Sequence, residues 1–261
     1  MKVKSVVKYC INSMKKSIAI YYSIIISLFL LLVLLSKTTN ARITLSGTEF
    51  STVIFLFASG FSMFKENFYF TKSNNISRKT YFLGTILSMI QISAGMSFID
   101  LILNRICNIF IKNPTMYDMG FTDYINDGTI MEITSIPADK IYPSSWIQSN
   151  SIGVLFNTFL FHMSLCLMLF ALGFVITMIY YRCNKIMKVV VSTSPVILFI
   201  ILNIYIYNYP NQVIKIGRSM EYILGINPNN VYPPIITFIV LFIAYTGVGY
   251  LAVRRMVIKE K

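Results

Sequence analysis

Residues 64–84 read FKENFYFTKSNNISRKTYFLG and form a short, basic, aromatic-rich connection between two long apolar runs. A run of about 20 apolar residues is long enough to cross a bilayer, so this connection is expected at a membrane face. Its core, residues 65–80, contains four cationic residues and one acidic residue, an excess that predicts the cytoplasmic side. Residues 65–80 are therefore predicted to be an inside loop that joins two membrane crossings.

The side chains of this loop suit contact with a soluble partner. Asn67 is predicted to cap a helix that enters the loop, and Ser77 to cap the helix that follows, because both residue types are favoured as helix caps. Between the caps are four apolar side chains that gain nothing from facing water: Phe68, Tyr69, Phe70 and Ile76. The alternative is a solvated inside loop whose aromatic residues lie among the lipid headgroups.

The composition is that of a membrane protein. Of the 261 residues, 56% are hydrophobic and only 13% are charged, whereas a soluble domain carries about 25% charged residues. The net charge of +13 does not indicate a nucleic-acid partner, because the cations lie in short segments between apolar runs, as positive-inside topology requires. An anionic lipid leaflet is the expected partner of these cations.

The N-terminal segment, residues 1–16, is predicted to be an amphipathic helix. At about 100° per residue its apolar side chains share one arc and its lysines share the opposite one. The two sets are Val3, Val6, Val7, Cys10, Ile11 and Met14, and Lys2, Lys4, Lys8, Lys15 and Lys16. This pattern favours a helix in the headgroup plane. The alternative is a signal-peptide start, but the following apolar run is too long and no small-residue cleavage site follows it.

The whole chain is predicted to be an all-α integral membrane protein with six transmembrane helices, an N-terminal interfacial helix and a re-entrant segment before the last helix. The six-span domain, residues 17–261, has crossings at 18–35, 48–64, 81–103, 152–180, 189–207 and 235–253. An outside loop is expected at 104–151 and the re-entrant segment at 208–234. The inside segments then hold 16 of the 23 Lys and Arg residues and two of the ten acids, which predicts cytoplasmic termini.

The residues needed for catalysis are largely missing from the sequence. The only histidine is His162, so a His-Glu-x-x-His metal site is excluded. Asp100 is the only carboxylate inside a predicted crossing, whereas an intramembrane aspartyl protease needs two. No phosphate-binding P-loop is present. We therefore expect no catalytic residue, no metal site and no cofactor in this chain, and ATP-driven transport would require a separate ATPase.

Three polar residues are expected within or at the ends of crossings. His162 is expected to form an interhelical hydrogen bond, with a polar gate or substrate contact as the alternative. Asp100 and Arg105 are expected to pair at the outer end of the third crossing, or to extend separately to the interface. A gating role is the alternative for this pair and for Glu49 at the outer end of the second crossing.

The segment ISRKTYFLG at 76–84, following FKENF at 64–68, resembles permease subunits of Gram-positive ABC transporters of the ABC-2 type. The layout is similar to their type V exporter fold, and phenol-soluble modulin exporter permeases are the most similar in size. The resemblance implies that the 65–80 loop is a coupling helix that contacts the ATPase, which binds ATP and Mg. The implied coupling residues are Glu66, Asn67, Phe68, Tyr69, Phe70, Asn75, Ile76, Ser77 and Arg78, with Arg182 and Lys185 from the second inside connection.

In that family the second and fifth helices of two permease copies face the translocation path. The resemblance therefore implies a path along Phe57, Phe61 and Phe64, with His162 nearby, although these aromatic residues equally suit contact with lipid or another helix. The expected function is export of amphipathic peptides, such as toxins or antimicrobial peptides, by a homodimer or heterodimer in the bacterial cell membrane. The alternatives are export of lipid or lipid-linked cell-wall intermediates, and a membrane immunity or accessory protein without an ATPase.

Overall fold

The computed structural model describes residues 3–39, 45–122, 147–225 and 230–254, and within these ranges the chain forms helices and no strand. The helices are α1 (Val3–Thr39), α2 (Glu49–Ser73), α3 (Arg78–Phe110), α4 (Met116–Phe121), α5 (Ile152–Arg182), α6 (Lys185–Asn208), α7 (Pro210–Ile223) and α8 (Tyr232–Arg254). Five of them, α1, α3, α5, α6 and α8, are long and apolar enough to cross a membrane. The all-helical membrane class is therefore confirmed.

The N-terminal segment does not form a separate helix, because α1 continues from Val3 to Thr39 without a break. No glycine or proline occurs in this stretch to end a helix. The apolar arc exists, but it packs against protein: Val6, Cys10 and Met14 are buried, and α1 lies along α3. The described lysines on the opposite side, Lys4, Lys8, Lys15 and Lys16, are exposed. The apolar face predicted to lie on lipid is therefore a packing surface.

The centre of the bundle is the contact between α2 and α5, and two glycines make it close. A Cβ atom added to Gly60 would lie 2.6 Å from the carbonyl oxygen of Phe170, and one added to Gly173 would overlap the carbonyl oxygen of Phe57. Small residues allow helix backbones to approach in this way in membranes. Helix α8 packs on the other side of α5, and α3 contacts both α5 and α8.

Helices α6 and α7 differ from the rest of the bundle because none of their described side chains is buried. Helix α6 matches the predicted fifth crossing and keeps a high mean hydropathy of 2.3 over its most apolar 18 residues. Helix α7 occupies the part of the chain predicted to be re-entrant. It is a helix of 14 residues, too short to cross a bilayer, which needs about 20.

The outer loop begins later than predicted, because α3 extends past Leu103 to Phe110. The first helix breaker after this point is Pro114. A short helix, α4, follows, and its first turn is closed by a capping box between Thr115 and Asp118. The rest of the predicted outside loop, residues 123–146, lies outside the described residues.

Candidate functional site

The predicted inside loop is a tight turn between two long helices. Helix α2 continues to Ser73 and α3 starts at Arg78, which leaves only residues 74–77 between them. Asn75 has a positive φ of 54°, a conformation that asparagine tolerates better than most residues. The Ser77 side chain accepts a hydrogen bond from the Thr80 backbone N–H at 3.1 Å, so the predicted cap of the following helix is confirmed.

The cap predicted at Asn67 is wrong. Asn67 lies in the middle of the last turns of α2, its side chain is 1% exposed, and its amide has no hydrogen-bond partner among the described residues. The physical reason is that residues 64–73 contain no glycine or proline, and the ring of Phe64 stacks on that of Phe68 one turn later, with 5.2 Å between centroids. This contact continues the helix past the expected boundary.

Most of the apolar side chains expected to face a partner are packed inside the chain itself. Phe68 is 3% exposed and Ile76 is 8% exposed. The ring of Phe68 contacts that of Tyr81, with centroids 5.7 Å apart. Phe70 is the exception: it is 37% exposed and stacks on Tyr9 of α1 at 3.9 Å. The side chains of Glu66 and Tyr69 lie outside the described residues.

The ends of α2 and α3 that flank this turn contact the neighbouring ends of α1, α5 and α8. We name this end of the bundle the inner end, after the predicted topology, and the opposite end the outer end. Phe70 reaches α1 through Tyr9. On α2, Phe64 contacts Tyr181 at the end of α5, with ring centroids 5.6 Å apart. Arg78 Nη1 donates a hydrogen bond of 2.7 Å to the carbonyl oxygen of Arg254 at the end of α8. A displacement of this turn would therefore act on α1, α5 and α8 together.

A second inner-end feature lies beside this turn. Arg182 and Lys185, predicted to help bind an ATPase, are exposed on either side of the short α5–α6 connection. Arg182 and Arg254 line a cavity of about 620 Å³. Its other described lining residues are Ile179, Cys183, Asn184, Met187, Val248, Leu251 and Ala252.

The four residues expected along a translocation path do not form one surface in the single chain. Phe57 and Phe61 contact each other edge to face, with centroids 4.8 Å apart, and Phe61 is 38% exposed. Phe64 is fully buried in the inner aromatic cluster with Phe68, Phe174 and Tyr181. His162 is also buried, but it belongs to a polar network towards the outer end.

Asp100 is the centre of that outer network. Its Oδ2 accepts a hydrogen bond from His162 Nε2 at 2.9 Å, and its Oδ1 accepts one from the Tyr22 hydroxyl at 2.9 Å. All three side chains are less than 10% exposed. The interhelical hydrogen bond expected for His162 is confirmed. The expected Asp100–Arg105 pair is wrong, because Asp100 pairs with Tyr22 and His162 while the Arg105 guanidinium donates no hydrogen bond to it.

Sequence reasoning did not find Tyr22, although a tyrosine inside an otherwise apolar crossing needs a partner for its hydroxyl. Arg105 is displaced from its expected role. Its three guanidinium nitrogens are buried and make no hydrogen bond within the described ranges. Its guanidinium interacts electrostatically with Glu49 and Asp118 instead.

A second polar network closes the outer end of the bundle. Glu49 Oε2 accepts a hydrogen bond of 3.1 Å from the Met116 backbone N–H, which ties the start of α2 to α4. Gln148 Nε2 donates to Asp118 Oδ2 at 2.6 Å and to Asn104 Oδ1 at 3.0 Å. These bonds join the segment before α5 to α3 and α4. Asp118 and Gln148 were not singled out from sequence, where they lie in a long polar loop without periodicity.

A cavity of about 370 Å³ lies between these networks and α1. Its α1 wall consists of the apolar residues Ile25, Leu28, Phe29 and Leu32, with Tyr21 at one end. The rest of the described lining mixes apolar residues, Leu45, Phe50, Ile54, Leu103 and Cys107, with polar ones, among them Glu49, Ser51, Thr52, Asp100 and Asn104. The described lining residues include two acids and no lysine or arginine. Volume and lining are those of a small-molecule site, which usually has about 300–1,000 Å³.

Among the described residues, no group of three or more His, Cys, Asp or Glu side chains is placed to hold a metal ion. Comparisons of the chain with protein-family models, with curated proteins and with solved structures give no match. The two features that bear on function lie at opposite ends of the bundle, the α2–α3 turn at the predicted inner end and the cavity at the predicted outer end.

Proposed function

We propose that this chain is the permease subunit of an ATP-driven ABC exporter that moves amphipathic, membrane-active peptides out of a bacterial cell. A separate ATPase would bind ATP and Mg and would dock at the α2–α3 turn, and this chain would carry out no reaction on its cargo. The observation that carries the proposal is the connection of this turn to α1, α5 and α8 through Tyr9, Tyr181 and Arg254.

This proposal takes α2 as a sixth crossing. Its apolar part, Glu49–Phe64, is shorter than the five long apolar helices. The complete helix has 25 residues and, at about 1.5 Å per residue, a length of about 37 Å, which exceeds the hydrocarbon thickness of about 30 Å. Contact with α5 along its length supports a position inside the bundle. With six crossings, both termini lie in the cytoplasm.

The proposed docking surface contains fewer exposed residues than the sequence predicted. Phe70, Asn75 and Ser77 are exposed and Arg78 is half-buried, whereas Phe68 and Ile76 support the turn from inside. Arg182 and Lys185 add positive charge on the neighbouring connection. An ATPase that pushed on this surface would move the inner ends of several helices, which is the step that alternating access requires.

A second copy of the permease is part of the proposal. Phe61 and the apolar surface of α6 are exposed in the single chain, and lipid or a second copy would cover them in the membrane. Two copies facing each other through these helices would place an apolar wall along a shared path. Such a wall suits the apolar side of an amphipathic peptide, and it also supports the alternative of a lipid cargo.

Copurification tests the docking step. The wild-type chain is expected to copurify with an ATPase whose hydrolysis is stimulated by amphipathic peptide in liposomes. The double variant Phe70→Ala/Arg78→Ala should lose that ATPase. The control is Phe110→Ala, because Phe110 is 55% exposed at the opposite end of α3 and should not affect the complex. Retention of the ATPase by the double variant would contradict docking at this turn.

A further inference from the structure

We propose that the outer cavity binds the cationic head of an amphiphile, with an alkylammonium group on Glu49 and its alkyl chain along α1. This inference deepens the proposed function, because it makes the cargo a lysine-bearing amphipathic peptide that inserts one lysine side chain at a time. The proposed ligand carries a positive charge, whereas an apolar cavity alone would accept any lipid chain.

Glu49 supplies the first reason. Its side chain is 3% exposed, and Oε2 accepts the Met116 N–H, but Oε1 makes no hydrogen bond to any described residue. A buried carboxylate is costly unless it is paired and fully hydrogen-bonded. Because Glu49 lines the cavity, a ligand there can reach this carboxylate and supply the missing donor.

The surrounding charges supply the second reason. Among the described residues that line the cavity are two carboxylates, Glu49 and Asp100, and no lysine or arginine. Both oxygens of Asp100 already accept hydrogen bonds, from Tyr22 and His162. Glu49 is therefore the carboxylate that a ligand can engage, and this described lining favours a cationic ligand over an anionic one.

The shape of the cavity supplies the third reason. Most of the described lining is apolar, including the α1 strip from Ile25 to Leu32, and the polar part includes Glu49, Ser51 and Thr52. An alkylammonium ion likewise combines a long apolar chain with a small polar head. Its head can donate hydrogen bonds to Glu49, and its chain can cover Leu28 and Phe29. A small metal ion would leave the apolar wall without a partner.

Equilibrium binding of radiolabelled octylamine to the full chain in lipid nanodiscs tests this site, with empty nanodiscs as the partition background. We expect saturable binding that octanoate does not compete for. Glu49→Gln should weaken binding at least tenfold, because it removes the charge but keeps an oxygen for the Met116 N–H. The matched control is Glu221→Gln on α7, an exposed glutamate outside the cavity, which should bind like the wild type.

A steric pair of variants provides a second readout. Leu28 and Leu31 are both 53% exposed on α1, but only Leu28 lines the cavity. Leu28→Trp should abolish saturable octylamine binding by filling the cavity, and Leu31→Trp should leave it unchanged. Competition by octanoate, wild-type affinity in Glu49→Gln, or equal effects of the two tryptophan variants would each overturn the proposal.

A peptide competition experiment tests the proposed cargo. A lysine-containing amphipathic peptide should displace octylamine, and the same peptide with glutamine in place of lysine should not. Displacement by both peptides would overturn the assignment of a lysine side chain. Octylamine binding needs no ATPase, so the two proposals can fail separately. If octylamine does not bind but the ATPase still copurifies, only the proposed cavity ligand is contradicted. If octylamine binds but no ATPase copurifies, the proposed exporter function is contradicted.

Discussion

The two ends of this helical bundle are held together by different forces. At the outer end, Asp100 and Asp118 accept directed hydrogen bonds from three other parts of the chain. At the inner end, Phe64 and Phe68 pack against other aromatic rings. Hydrogen bonds are also present there, a long one of 3.4 Å from the Tyr81 hydroxyl to the Phe64 carbonyl oxygen and one of 2.7 Å from Arg78 to the Arg254 carbonyl oxygen, but the rings make up most of the contact.

Because of this difference, the two ends should respond differently to small movements of the helices. A hydrogen bond weakens steeply when its distance or angle changes, so the outer networks fix the positions of Tyr22, His162 and Glu49. Aromatic pairs keep most of their contact energy over a range of offsets and angles. The outer end is therefore suited to a site of fixed geometry, and the inner end to a contact that slides while it stays packed. The stability lost on substitution should therefore depend on hydrogen-bonding groups at the outer end and on side-chain volume at the inner end.

The largest effect is expected for Phe64→Ala at the inner end. Phe64 is fully buried against three rings, and loss of a buried phenylalanine costs about 3–5 kcal/mol in free energy of unfolding. We expect about 3 kcal/mol, because lipid is as apolar as the core and only the packing part of the loss remains. Thermal unfolding in detergent would measure it.

Phe64→Leu is the volume control for that variant. It keeps most of the apolar volume, and we expect a loss of about 1 kcal/mol, as for swaps that nearly conserve volume. Equal losses for alanine and leucine would mean that the inner end depends on specific ring geometry, and the contrast between the two ends would be weaker than we describe.

Asp100→Leu is the corresponding change at the outer end. Leucine fills the space but accepts no hydrogen bond, so the His162 N–H would lose its carboxylate partner at a cost of about 1–3 kcal/mol. The Tyr22 hydroxyl would keep only the Met96 carbonyl oxygen, 3.1 Å away. Unfolding in mixed micelles should show a loss of about 2 kcal/mol in total, given the smaller values found in membranes. Asp100→Asn, which retains an acceptor oxygen, should lose less. A tolerated leucine would show that volume alone holds this end.

The sequence predicted the helices better than their contacts. Apolar length set the crossings, and α5 and α8 match their expected ranges within two or three residues at each end. Ser77 was found because a helix cap depends on local geometry. The continuity of α1 was missed, since amphipathicity does not distinguish a lipid surface from a protein surface. The extension of α2 past Asn67 was missed because polar residues at its end resembled a loop.

The candidate sites were predictable only in part, for a related reason. Glu49, Asp100 and His162 stood out as polar residues at or within crossings, but their partners Tyr22 and Met116 are 78 and 67 positions distant in the chain from the groups they bind. No local pattern encodes such pairs. The close α2–α5 contact was likewise missed, because Gly60 and Gly173 are single glycines in apolar runs, and only the tertiary packing shows that they face each other.

Tyr22→Phe removes one hydroxyl from the outer network, and with it the contacts to Asp100 and to the Met96 carbonyl oxygen, 3.1 Å away. The ring is kept, and Asp100 Oδ1 loses the donor that lies 2.9 Å away. Interhelical hydrogen bonds in membranes contribute about 0.6 kcal/mol on average and up to about 1.7 kcal/mol, so we expect a loss of about 1 kcal/mol in mixed micelles. The control is Tyr245→Phe on α8, because the Tyr245 hydroxyl makes no hydrogen bond to any described residue. A loss no larger than the control's would show that Asp100 needs only His162.

The smallest effect is expected at the hydrogen bond that caps α3 at the end of the turn. Ser77 caps α3 through Thr80 N–H at 3.1 Å, but it is exposed, so water replaces much of what the serine hydroxyl supplies. Ser77→Ala should therefore cost about 0.5 kcal/mol, the lower end of the range for helix caps. Ser77→Asp keeps the cap and should match the wild type in thermal unfolding. If Ser77→Ala lost about 2 kcal/mol in free energy of unfolding, a hydrogen bond, and not ring packing, would position the turn. The inner end would then have a fixed geometry and could not slide.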